Sequence, residues 1–130
     1  MANKSKYGYA DNIEQATLNN ENFRHVLYTG KLQLVLMTLQ PKEDIGWEIH
    51  EGHDQFFRFE EGEGDVYIND EVFHVKDGDA IVVPAGAKHN VVNTGEGLLK
   101  LYTIYAPPEH PAGKVHKTKQ DALTDPDYQE

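Results

Sequence analysis

From Gly78 to Asn93 the chain reads G-D-A-I-V-V-P-A-G-A-K-H-N-V-V-N, which places Gly78, Pro84, Gly86, His89 and Asn93 at the spacing G-x5-P-x-G-x2-H-x3-N. A glycine turn, a short apolar strand, a Pro/Gly turn and then a histidine opening the next strand would aim one imidazole into a small barrel. Upstream, Gly46 to Gly62 reads G-W-E-I-H-E-G-H-D-Q-F-F-R-F-E-E-G and holds Glu48, His50, His53 and Gln55. Side chains alternate faces along a strand, so Glu48 and His50 point one way while Trp47 and Ile49 point the other. Imidazole nitrogens with carboxylate and amide oxygens suit a divalent Zn, Mn, Fe, Co, Ni or Cu ion, and the chain has no cysteine to add sulfur. Nucleophile elbows, phosphate-cradling glycine loops and dinucleotide fingerprints are absent; Gly62-Glu63-Gly64 reads as a hairpin turn with no helix after it.

These two runs resemble the paired motifs of the cupin superfamily. The later run matches the second motif at all five positions. The first motif, G-x5-H-x-H-x3–4-E-x6-G, is met in altered form. Counting back from Gly62, Glu48 stands for the first His, His50 for the second and Gln55 for the Glu, while Gly46 lies nearer the ligands than the pattern asks. The resemblance covers roughly residues 23 to 106 and implies an all-β fold, a cupin-type antiparallel double-stranded β-helix or jelly-roll barrel. It also implies one divalent transition metal per chain, bound by Glu48, His50, Gln55 and His89. That set has one ligand charge, leaving a net positive centre with room for water or substrate. Two alternatives stay open: Glu48 as a general base beside a three-ligand metal, and His53, in the Glu51–Asp54 turn, as a ligand in place of a Gln55 that is a core amide. Several small cupins that act on uronates carry Gln at the place of Gln55.

The elements that must position these residues follow from short apolar runs broken by turn signals. Strands are expected at Phe23–Tyr28, Leu32–Leu39, Gly46–His50, Gln55–Glu60, Asp65–Ile68, Val72–Val75, Ala80–Val83, His89–Val92 and Leu98–Tyr105. With no amphipathic helix between them, they argue an antiparallel sandwich or barrel. Residues 1–22 read as an N-terminal arm, 23–106 as the barrel, and 107–130 as a C-terminal surface arm with a helical stretch at Lys117–Leu123. By parity, Gln55, Phe57 and Phe59 share one face, and Leu99, Leu101, Thr103 and Tyr105 face in while Lys100 faces out. Phe57, Phe59, Leu101 and Tyr105 are therefore the expected substrate-pocket residues. Trp47, Ile49 and Phe56 fall on the outer face, where they need cover from the N-terminal arm or a second subunit; a homodimer is expected. His25, His74, His110 and His116 fit no ligand spacing and read as structural, and Met37 reads as core.

A chain of 130 residues is one domain. No run approaches the ~18 apolar residues of a membrane span, and Met1 to Asn22 has no apolar core of a signal peptide, so a cytoplasmic protein is expected. With 22 acidic residues against 12 basic ones, the net charge of −10 disfavours nucleic acid as a partner; a small molecule is expected instead. The leading function is a metal-dependent enzyme that isomerises or ring-opens a small, oxygen-rich sugar-, uronate- or keto-type molecule. A metal-dependent dioxygenase and a non-catalytic small-ligand-binding module are the other classes, and the fold hosts all three.

Overall fold

The computed structural model describes residues 7–128. Ten strands fold as two antiparallel sheets: β1 (Arg24–Thr29), β2 (Gln33–Leu39), β3 (Glu48–Ile49), β4 (Asp54–Glu61), β5 (Glu63–Ile68), β6 (Glu71–Lys76), β7 (Ala80–Val83), β8 (Lys88–Asn93), β9 (Leu99–Ala106) and β10 (Val115–His116). The six-stranded sheet runs β10-β1-β2-β9-β4-β7 and the four-stranded sheet β3-β8-β5-β6. From β2 to β9 the chain repeatedly passes between the sheets, giving the jelly-roll barrel. Helices α1 (Ile13–Asn19) and α2 (Lys119–Thr124) lie at either end of the sequence, outside the strand succession.

Alternation builds the core. In β4 the residues Gln55, Phe57 and Phe59 are buried, in β9 Leu99, Leu101, Thr103 and Tyr105, and in β2 Val35, Met37 and Leu39. Burying each large apolar side chain contributes about 1.5–3 kcal/mol. Register layers these residues between β4 and β9: Gln55 opposes Tyr105, Phe57 opposes Thr103, and Phe59 opposes Leu101. Polar Gln55 and Tyr105 thus sit at the barrel end where β4 begins and β9 finishes, with apolar layers behind them.

Five features go beyond or depart from the sequence reading. The Gly62 turn is a corner rather than a hairpin, because β4 and β5 belong to different sheets. Gly62 has φ of 91°, and a Cβ there would lie 2.3 Å from the Leu98 carbonyl oxygen, so only glycine turns this corner. The N-terminal arm carries α1, capped by the Asn12 side chain accepting from Gln15 N at 2.9 Å. Lys100 does leave the barrel on the outer face, yet it is buried there, its Nζ donating to the carbonyls of Leu18 and Asn20 at 2.7 and 2.8 Å. The C-terminal arm adds β10 to β1 rather than lying on the surface. Buried His116 joins it to the barrel, with Nε2 2.8 Å from Asp125 Oδ2 and Nδ1 3.4 Å from the Arg24 guanidinium. Finally, Trp47, Ile49 and Phe56 do not form one patch. Trp47 packs on Tyr67 outside the smaller sheet, with Lys88 Nζ over its ring, while Phe56 packs on Tyr102 outside the larger one.

Candidate metal centre

The two motif runs meet because the β7–β8 turn is pinned to the loop after β3. Gly86 N donates to His50 O at 2.9 Å, and Ala85 N donates to Asp54 Oδ1 at 2.8 Å. Glu48 and His89 are directly opposed in the β3–β8 pair. His50 follows β3 on the face of Glu48, and Gln55 enters from β4 in the facing sheet. Asn93, the last position of the second run, is no ligand. Its Nδ2 donates to Leu39 O and Gly97 O at 3.0 and 2.9 Å and its Oδ1 accepts from Gly95 N at 3.0 Å, so it closes the β8–β9 turn.

Ligand atoms of Glu48, His50 and His89 lie within 4.8 Å of one another. His50 Nε2 is 3.5 Å from Glu48 Oε2, and His89 Nε2 is 3.1 Å from Gln55 Oε1. Metal bonds of about 2.0–2.2 Å put neighbouring ligand atoms about 3.0–3.5 Å apart, so these separations suit donors around one ion. Two further observations fit a metal. His50 Nε2 is fully buried with no hydrogen-bond partner, which costs stability unless something satisfies its lone pair or proton. His89 Nδ1 lies 3.2 Å from the Ala87 carbonyl, which can only accept, so this bond leaves a lone pair on Nε2 of the neutral ring. Gln55 Nε2 donates to Thr103 Oγ1 at 2.9 Å, turning Oε1 towards that lone pair. Two acceptors facing each other repel, and a cation between them satisfies both.

The imidazoles are held ready to bind. Burial, then the charges of His53 and His89, push His50 down to about 4. Burial lowers His89 and His53 as well, the latter against the pull of Asp54. All three rings are therefore neutral near pH 7, the form that ligates.

Tyr105 and Phe57 reach the site: Tyr105 packs edge-on against His50 and His53, at 5.7 and 5.4 Å between centroids, and Phe57 against His89 at 6.2 Å. Phe59 and Leu101 lie one register layer beyond Phe57 and Thr103, in the core. Reading the motifs missed the C-terminal segment altogether. Glu109 places Oε2 3.6 Å from His50 Nδ1 and Oε1 3.5 Å from His53 Nε2. His110 sets Nε2 3.2 Å from the Tyr105 hydroxyl, and burial followed by the charge of Arg24 holds its pKa far below the ordinary value. Neither has a motif spacing; only the chain's return past β9 brings them here. A cavity of about 240 Å³ adjoins the centre, with Glu48, His110, Arg24, Trp47 and Lys119 in its walls.

The jelly-roll barrel brings two histidines, a glutamate and a glutamine together at one end, where they could hold a metal ion. The cupin domain family matches residues 35–105, and the chain belongs to it. YrkC of Bacillus subtilis (strain 168) is 54% identical over 119 residues, 86% of this chain and 64% of that protein, so the chain spans less than two thirds of that relative's length. The crystal structure of BH2720 from Bacillus halodurans superposes with a TM-score of 0.90 at 46% identity, covering 96% of this chain and 100% of that one. A predicted oxalate decarboxylase from Thermotoga maritima is 26% identical with a TM-score of 0.56, covering 58% of this chain and 66% of that one. Among the described residues, no helix is long and apolar enough to cross a membrane.

Proposed function

We propose that the protein is a metal-dependent enzyme that isomerises or ring-opens a small, oxygen-rich molecule of sugar, uronate or keto type. The observation that carries this reading is the buried, unpartnered Nε2 of His50 beside Glu48, a residue that also lines the cavity. His50, His89, Gln55 and Glu48 would hold the ion, whose chemistry when bound is to polarise a carbonyl or hydroxyl. If His50, His89 and Gln55 hold the ion without it, Glu48, which lines both metal centre and cavity, would instead take a proton from a carbon or hydroxyl next to the polarised group. Arg24 and Lys119 also line the cavity and would give an acidic substrate a cation to dock on, although Lys119 already pairs with Asp44 and Arg24 lies against His116. The predicted oxalate decarboxylase of Thermotoga maritima, to which the chain is similar, is likewise named for a small carboxylic acid. A cavity of about 240 Å³ suits a compact metabolite rather than a polymer.

The test is the metal content of protein purified without added metal, followed by assay of sugar-acid and keto substrates with wild type and Glu48→Gln. Zinc or manganese with turnover supports the reading, and a Glu48→Gln variant that keeps metal but loses turnover assigns Glu48 as the base. A well-folded protein that takes up none of these metals overturns it in favour of a binding module. The second reading, dioxygen chemistry, rests on Glu48, His50 and His89 forming a two-His-one-carboxylate set; iron or nickel content with oxygen consumption would select it. The reading includes a homodimer formed through the outer face of the smaller sheet, where Trp47 and Ile49 are each 51% exposed. Sedimentation as a monomer at micromolar concentration would remove that part.

A further inference from the structure

We infer that the protein holds a second metal ion, on His50, His53 and Glu109, with the imidazole of His50 shared between the two ions. The inference rests on the metal centre proposed above only through the His50 ring.

That ring sits between two carboxylates. Its Nε2 is 3.5 Å from Glu48 Oε2 and its Nδ1 is 3.6 Å from Glu109 Oε2. A charge-assisted hydrogen bond to a carboxylate closes to about 2.7–2.9 Å, so neither contact is one. Two donors on a tetrahedral ion with bonds of about 2.1 Å lie about 3.4 Å apart, close to the separation of His50 Nδ1 from Glu109 Oε2. On the far side of Glu109, Oε1 lies 3.5 Å from His53 Nε2. His53 is 7% exposed, and its Nε2 is buried without a hydrogen-bond partner. Ligand atoms of the three residues lie within 4.8 Å of one another.

The bland alternative is an ion pair of Glu109 with a protonated histidine. It would put a cation on one of two rings whose centroids are 4.7 Å apart, with no hydrogen bond formed in return.

Glu109 is fixed in place. Gln33, itself fully buried, accepts from Glu109 N and His110 N at 3.1 and 2.9 Å through Oε1 and donates to His110 O at 2.7 Å through Nε2. A buried amide thus clamps the backbone of the segment that delivers the carboxylate. Two imidazoles and one carboxylate give three protein ligands and an open fourth position, a donor set suited to zinc. With both positions filled, the His50 ring binds one ion through each nitrogen as imidazolate and releases its proton to solvent.

The experiment uses the full chain, stripped with chelator, loaded with Zn²⁺ and dialysed, with zinc per chain read by mass spectrometry and folding by circular dichroism. Two ions per chain are expected in wild type, one in His53→Ala, one in Glu109→Gln, one in His89→Ala, and none in the His89→Ala/Glu109→Gln double variant. Glu109→Gln keeps the side chain's shape, so a reading survives even if His53→Ala misfolds. One ion in wild type that His89→Ala removes and Glu109→Gln leaves would overturn the second position while the first stands. Two ions untouched by either His53→Ala or Glu109→Gln would overturn it too, and no zinc in folded wild type would overturn both readings.

Discussion

His89 is the residue on which the proposed centre depends most. It opposes Glu48 across β3–β8, donates through Nδ1 to Ala87 and turns Nε2 on Gln55. His89→Ala is expected to weaken metal binding at that centre by more than about 100-fold, since even outer partners of ligands are worth about 10–100-fold. The apolar strands should keep the fold, as circular dichroism can verify. Gln55 offers a finer test. An amide donates less electron density than a carboxylate, so Gln55→Glu should bind zinc more tightly in isothermal titration yet lower turnover several-fold. Its burial at 2% exposure allows the change only if a cation meets the new charge, so a variant that fails to fold with metal present would place Gln55 in the core rather than in the metal shell. His50 and His89 were legible from spacing because turns and strand parity fix where an imidazole points. Glu109 was not, because its place depends on a tertiary path that leaves no periodicity behind.

The same division holds for the elements. All nine strands read from the sequence are present within two residues of their expected ends, since each combines alternating or continuous apolar runs with Gly, Pro, Asn or Asp at its borders. β10 has only Val115 and His116, and its pairing to β1 is set by the C-terminal path rather than by local propensity. Whether β4 and β5 form a hairpin or a corner was equally hidden, since Gly62 permits either and the sheet partner decides. Gln33 shows the energetic consequence of such a path. It holds Glu109 and His110 and also donates to Thr29 Oγ1 at 2.9 Å. Leucine there would leave three part-buried backbone groups without this partner, where a fully buried one would cost about 1–3 kcal/mol. Gln33→Leu is expected to cost at least about 2 kcal/mol in urea unfolding and to open the Pro107–Gly113 segment to proteolysis. An unchanged midpoint would mean that the segment is held by β10 and His116 alone.

At the scale of the whole molecule, the barrel end is a cluster of neutral imidazoles buried among carboxylates, and this ties stability to both pH and metal. His50 is lowered to about 4 from its ordinary 6.5, and His53 and His89 shift the same way. Because the unfolded chain binds these protons more readily than the folded one, the contribution is fully present above about pH 6.5 and is lost as pH falls through about 4. The thermal stability of the metal-free protein should therefore begin to fall just below neutrality, earlier than carboxylate titration alone would cause. Metal acts in the opposite sense, since an ion that binds only the folded state stabilises it by about 2.7 kcal/mol at one hundred times its dissociation constant. Zinc should then raise the melting temperature most at pH 7–8. The increment should shrink towards pH 5, where protons compete for the same nitrogens. The decisive comparison is His50→Ala, which removes the ring lowered to about 4 and leaves His110, which is lowered further, in place. It should flatten the acid limb of the metal-free profile and abolish the zinc increment together; a variant that loses the zinc increment but keeps the full acid limb would place the pH sensitivity elsewhere in the fold.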